Sequence, residues 1–239
     1  MRRMIRADLG RILKKIGFYI PLAVNFVLIM VRWIGDSAAE QLETAQASAA
    51  FLGIILPCAV VFSAVYGDEL KCGSIQAVIG RGLPRSKVVF GKLLGSAILL
   101  LLSNLLLYLA ELFKILIAPQ LGVSIRQMAF LLLFYVFIFL RSVGYIAFGA
   151  LFLFLSDSIA SGMVILLICS SFGKLFFQWA QNKTRLPLYD LSYDGLLERS
   201  CNVFQNGGFG WQLFPALIVF VFGSTLLTIL IFERKELSL

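Results

Sequence analysis

Apolar residues in this chain do not alternate with polar ones; they gather into six long runs, at residues 17–34, 49–67, 88–118, 128–155, 159–180 and 213–232. A membrane-crossing helix needs about 20 mostly apolar residues, so the runs predict six transmembrane helices. The third and fourth exceed a crossing and must tilt or project beyond the hydrocarbon. Ahead of the first run, Met4, Ile5, Leu9, Ile12, Leu13 and Ile16 recur at helical spacing, and Arg and Lys fill much of the other face. Residues 1–16 therefore read as an interfacial amphipathic helix, or more simply as a basic anchor. A cleavable signal peptide is not expected, because the first run is too long for an ordinary signal core and follows sixteen residues rich in charge.

Composition agrees with the pattern. Of 239 residues, 60% are hydrophobic and only 14% charged, and mean hydropathy is +0.92. One soluble core cannot hide that much apolar side chain, so the expected fold class is an all-α integral membrane protein with a single transmembrane domain over residues 1–239.

The net charge of +8 is distributed unevenly. Thirteen Lys and Arg lie in the N-terminal tail, the loop after the second run and the C-terminus; four lie in the other loops (Arg126, Lys183, Arg185 and Arg199). The loop at 35–48 carries Asp36, Glu40 and Glu43 and no base. Basic loops stay in the cytoplasm, so both termini are expected there, in a multi-pass cell membrane protein. Topology thus accounts for the charge, and no soluble basic face with stacking aromatics suggests nucleic acid.

Catalytic chemistry finds little to use. Histidine is absent, which removes the commonest metal ligand and proton shuttle. Cys58, Cys72, Cys169 and Cys201 show neither metal spacing nor a disulfide framework. No GxxxxGK[ST] phosphate loop occurs, so the chain is expected to be no enzyme by itself and to hold no cofactor.

The informative polar stretch is 69–94, ELKCGSIQAVIGRGLPRSKVVFGKLL, between the second and third runs. Ile75, Val78 and Ile79 fall at i, i+3 and i+4, offering one apolar face of a short helix capped by Ser74. Gly80 to Pro84 stops it, since Gly permits a turn and Pro cannot continue a helix. Read alone, the stretch is a positive-inside loop with a short helix.

Order and spacing add a resemblance. Glu69, Gly73-Ser74-Ile75, Gly82-Leu83-Pro84, Arg85-Ser86-Lys87 and Gly91-Lys92 are similar to the segment after the second span in ABC-2 type permeases, the membrane subunits of ATP-binding-cassette exporters. The six-run plan, the basic N-terminal helix and the ending Phe232-Glu233-Arg234-Lys235-Glu236-Leu237 extend the similarity along the chain, and the small size resembles permeases of peptide-antibiotic export and immunity. The resemblance implies that 68–92 is a cytoplasmic coupling segment, with Glu69, Gly73, Ser74, Ile75, Val78, Ile79, Arg81, Arg85 and Lys87 facing a separate ATPase subunit, present in two copies, that carries ATP and Mg. It also implies a second permease, identical or related, to complete twelve spans. A membrane scaffold or sensor recruiting a cytoplasmic partner without transport is the alternative. An ion-coupled transporter fits less well, lacking an inverted repeat or a chain of membrane carboxylates.

Charges inside the runs cost about 2.5–3.5 kcal/mol each on insertion scales and should pair or face water. Arg141 sits mid-run; Glu111 and Lys114 lie three apart on one face; Lys174 and Arg32 lie nearer the outer interface, within snorkelling reach. In one reading Glu111 pairs with Lys114 or Arg141. In the other, Arg141 and Lys174 face a cavity lined by Phe134, Phe137, Phe148, Phe172 and Phe176 that receives an anionic or amphipathic substrate. The outer stretch 181–212 is expected to hold a short helix at 194–202 and a glycine-rich turn before the last run; the resemblance implies an exit gate there, and a solvated connector is the alternative.

Overall fold

The computed structural model describes residues 2–32, 37–67, 80, 82–117 and 123–234. All regular structure among them is helical. In chain order these are α1 (Arg2–Ile12), α2 (Ile16–Val31), α3 (Ala38–Phe62, continued by a π-helical turn Ser63–Gly67), α4 (Arg85–Ile117), α5 (Ile125–Ser156), α6 (Ile159–Thr184), α7 (Leu188–Leu191), α8 (Tyr193–Gln205) and α9 (Leu213–Arg234). Five helices, α3 with its π-helical turn, α4, α5, α6 and α9, are long and apolar enough to cross a membrane. The sixth apolar helix, α2, has 16 residues, which makes it about 24 Å long at the α-helical rise.

Helix starts follow local chemistry. Ser37 caps α3 by accepting from the Glu40 N–H at 3.2 Å, and Ser124 and Gln127 form a reciprocal capping box on α5. The cap at Ser37 corrects the expectation of a loop through residue 48: once α3 is nucleated there, Leu42, Ala45 and Ala49 supply an inward face that carries the helix from Ala38. Gly82 adopts φ +87, the left-handed region where glycine is at ease, and turns the chain into Pro84, whose carbonyl accepts the first bonds of α4. The sequence-predicted coupling residues Glu69, Gly73, Ser74, Ile75, Val78, Ile79 and Arg81 lie outside the described residues.

Helix α5 is central, packed against α3, α4, α6, α8 and α9, while α2 rests on α3 and α4. Between lipid-soluble helices there is no hydrophobic drive to associate, so close packing of small residues matters. Gly149 on α5 and Gly162 on α6 provide it: a Cβ on Gly162 would sit 2.7 Å from the Gly149 carbonyl oxygen. Several polar residues buried in the bundle satisfy themselves, as Ser103, Ser142, Thr225 and Thr228 each donate to the carbonyl four residues earlier. Apolar side chains on α2, α6 and α9, such as Ile20, Val27, Phe172, Phe176 and Leu226, point outward, as a lipid-facing surface requires.

One end of the bundle gathers three distant pieces of chain. Lys92 Nζ, buried near the start of α4, pairs with Asp8 of α1 at 2.6 Å. Arg85, the first residue of α4, donates to the carbonyls of Phe232 at 2.6 Å and Glu233 at 3.2 Å and stacks over the Phe232 ring. A cation on the last carbonyls of a helix is favoured by the helix dipole.

Candidate functional site

Two sets of charges lie within the bundle, and neither is paired as the sequence suggested. On α4, Glu111 is fully buried and binds Arg32 through both carboxylate oxygens, at 3.0 and 2.8 Å. Lys114 does not meet Glu111; its Nζ donates to the carbonyls of Ile29, at 2.8 Å, and Arg32. The reason is geometric: α2 ends against α4, so its unsatisfied C-terminal carbonyls take Lys114 while Arg32, at the same terminus, turns inward and does not snorkel. A bidentate guanidinium–carboxylate pair is the strongest partner Glu111 has within reach.

Arg141 pairs with Asp194, not Glu111. Its Nε donates to Asp194 Oδ1 at 2.7 Å, and the Tyr145 hydroxyl donates to the same carboxylate at 2.7 and 2.8 Å. Asp194 belongs to α8, so this helix docks halfway along α5. Tyr193 fixes the docking: its hydroxyl donates to the Leu140 carbonyl at 2.5 Å, and its ring lies where a side chain on Gly144 would be. One turn further along α8, Glu198 takes Lys174 of α6 at 2.8 Å and also accepts from the Tyr189 hydroxyl. Burial disfavours its ionised form, but the bonds from Lys174 and Tyr189 outweigh this and hold the Glu198 carboxyl below its usual range. The Tyr189 phenol, partly buried and bonded to that carboxylate, is pushed upward. Burial also raises the Cys201 thiol, to about 11.

Between the first half of α3, α5, α6 and α8 lies a cavity of about 370 Å³. Phe134, Phe137 and Ile138 form its apolar wall; Arg141, Lys174, Asp194, Glu198 and Glu43 supply charge, and Gln46 and Asn202 supply amides. Both Nη groups of Arg141 lack a hydrogen-bond partner among the described residues, as does the Glu43 carboxylate, so donors and an acceptor stand open beside an apolar wall. Of the other phenylalanines expected here, Phe148 packs on Phe220, while Phe172 and Phe176 point away from the bundle. No group of His, Cys, Asp or Glu able to hold a metal occurs among the described residues.

The expected coupling residues divide in the same way. Arg85 ties α4 to α9, and Lys87 is exposed beside it. Asp194 and Glu198 were not singled out as partners in the sequence, although they lie four apart on one helical face and so match two bases on neighbouring helices.

The chain matches no known protein family, no curated protein and no solved structure.

Proposed function

We propose that the chain is the membrane-spanning permease subunit of an ATP-driven exporter, working beside a second permease and two cytoplasmic ATP-binding subunits that carry ATP and Mg. The carrying observation is the Arg85 junction. In this reading the coupling segment 68–92 is the part that meets the ATPase, α2 is the sixth span, α1 lies in the interface, and both termini are cytoplasmic. Force arriving at 68–84 then enters α4 and α9 together, because Arg85 bonds the last carbonyls of α9. The cavity between α3, α5, α6 and α8 suits a hydrophobic or amphipathic substrate with a polar group for Arg141 or Glu43, whose hydrogen-bonding atoms stand open. Helix α8, held to α5 and α6 by two ion pairs, closes its outer side.

The test is ATP hydrolysis by the chain reconstituted with the ATPase it co-purifies with. Gly73→Pro, Ile75→Asp and Arg85→Ala should each abolish substrate-stimulated, vanadate-sensitive turnover while inserting normally. Coupled turnover that survives all three substitutions overturns the proposal. A stable complex that binds its partner yet moves nothing on ATP addition points instead to a scaffold.

A further inference from the structure

At the end of the bundle where α1, the start of α4 and the end of α9 meet, a second cavity of about 580 Å³ opens at the elbow between α1 and α2. Its mouth is basic and its walls are not. Lys14 and Lys15 stand at the elbow, and Lys14 is exposed with no partner among the described residues. Behind them Gly17, Val60, Ala64 and Gly67 form a wall of small and aliphatic groups, and both glycines border open space. From the mouth an apolar stripe climbs the outer face of α2 through Ile16, Ile20, Val24, Val27 and Val31, at helical spacing and all exposed.

We propose that this elbow is a binding site for one anionic phospholipid, its phosphate at Lys14 in the mouth of the cavity and one acyl chain along the α2 stripe. Three features argue for a lipid and not for a soluble anion alone. The cavity is larger than a bare phosphate needs. Its walls are apolar just behind the charge, which suits an amphiphile. The stripe continues from the cavity in the direction a chain would take into the bilayer. The positive-inside bias puts this end at the cytoplasmic leaflet, where anionic headgroups attract basic residues. A headgroup there would lock α1 to α2 and so fix the angle at which α1, held by the Lys92–Asp8 pair, lies against α4. The inference does not depend on the exporter reading.

The experiment is native mass spectrometry and lipid titration of the detergent-purified chain with phosphatidylglycerol, with phosphatidylcholine, and with inorganic phosphate as competitor. The wild type should retain one phosphatidylglycerol in preference to phosphatidylcholine. Lys14→Glu should weaken that binding about 25-fold, from the loss and reversal of one basic group near the surface. Ser63→Trp, which fills the cavity without touching a charge, should abolish it, and Arg6→Ala, outside the cavity, should leave it intact. Each variant must melt in phosphatidylcholine micelles as the wild type does; a variant that fails this is replaced by Ala64→Phe at the same wall. The proposal is overturned if the wild type shows no preference for phosphatidylglycerol. It is equally overturned if Arg6→Ala weakens binding as much as Lys14→Glu, which marks diffuse attraction, or if inorganic phosphate displaces the lipid at equal concentration.

Discussion

Substituting Gly144 by Ala should undock α8 from α5, although the change favours the helix locally. An added Cβ would lie 2.2 Å from Tyr193 Cε1 and 2.6 Å from its hydroxyl, more than an ångström inside ordinary contact. The ring has little freedom to retreat, because its hydroxyl is bonded to Leu140 and it packs against the rings of Tyr145 and Phe220, with centroids 6.3 and 5.4 Å away. Moving it sacrifices one hydrogen bond, about 1 kcal/mol, and forces repacking worth about 1–3 kcal/mol. The gain from Gly to Ala in a helix is about 1 kcal/mol. The net expectation is destabilisation by about 1–3 kcal/mol, measured by equilibrium unfolding in mixed micelles, together with faster maleimide labelling of Cys201 on the loosened α8. In a Tyr193→Ala background the same methyl group enters vacated space, so the effect of Gly144→Ala should shrink to zero or change sign. The reasoning is refuted if Gly144→Ala stabilises the wild type, or if the two substitutions prove additive.

Three further outcomes are expected. Glu111→Ala leaves Arg32 without a counter-charge, bonded only to the Thr44 carbonyl and the Ser48 hydroxyl, and should cost about 3 kcal/mol, whereas exchanging the two as Arg32→Glu with Glu111→Arg should recover most of it; a swap no better than the single change removes the pair from the account. The Glu198 carboxyl, held low by Lys174 and Tyr189, contributes fully above its unfolded value of about 4.3 and loses that contribution as pH falls through its lower folded value. Wild type and Glu198→Gln should therefore differ in stability near neutrality and converge in acid, and a difference that grew on acidification would have the wrong sign. Cys201, with its thiol pushed to about 11 by burial, should react with maleimide far more slowly at pH 7 than a free cysteine, and Asp194→Asn should speed it by releasing α8.

The helices were legible because their signal is long and local. Apolar runs of more than 18 residues leave little choice to the backbone in lipid, and four of the runs reappear within α4, α5, α6 and α9 with shifts of a few residues at their ends. The largest shift, at α3, came from a polar first turn. Glu40, Gln41 and Glu43 look like loop by hydropathy, yet Ser37 and Glu40 supply a cap, and Ala38, Leu42, Ala45 and Ala49 are good helix formers on one face. The helix at Tyr193–Gln205 was expected in outline, but its depth was not. Hydropathy measures what a segment prefers as solvent, and α8 reaches the middle of α5 by bringing its own charges to meet those already there.

The charges themselves show why pairings are harder to read than spans. Glu111 and Lys114, three apart on one helix, are close by construction, and a sequence invites the inference that proximity means partnership. In the folded chain each has a better offer from α2: two guanidinium nitrogens for the carboxylate, two orphan carbonyls for the ammonium. What decides is the end of a neighbouring helix, where unsatisfied carbonyls and a terminal arginine occur together, and that neighbour is known only once the bundle is packed. Arg141 follows the same logic from the opposite side. A guanidinium in the middle of an apolar helix is a demand for a carboxylate, and the remaining candidates that could meet it lie on segments hydropathy assigns outside the membrane. The demand is therefore evidence about topology. It calls for a segment from beyond the apolar runs, bearing an acid, to fold back into the bundle, and α8 does so with Asp194 and, one turn later, Glu198 for Lys174.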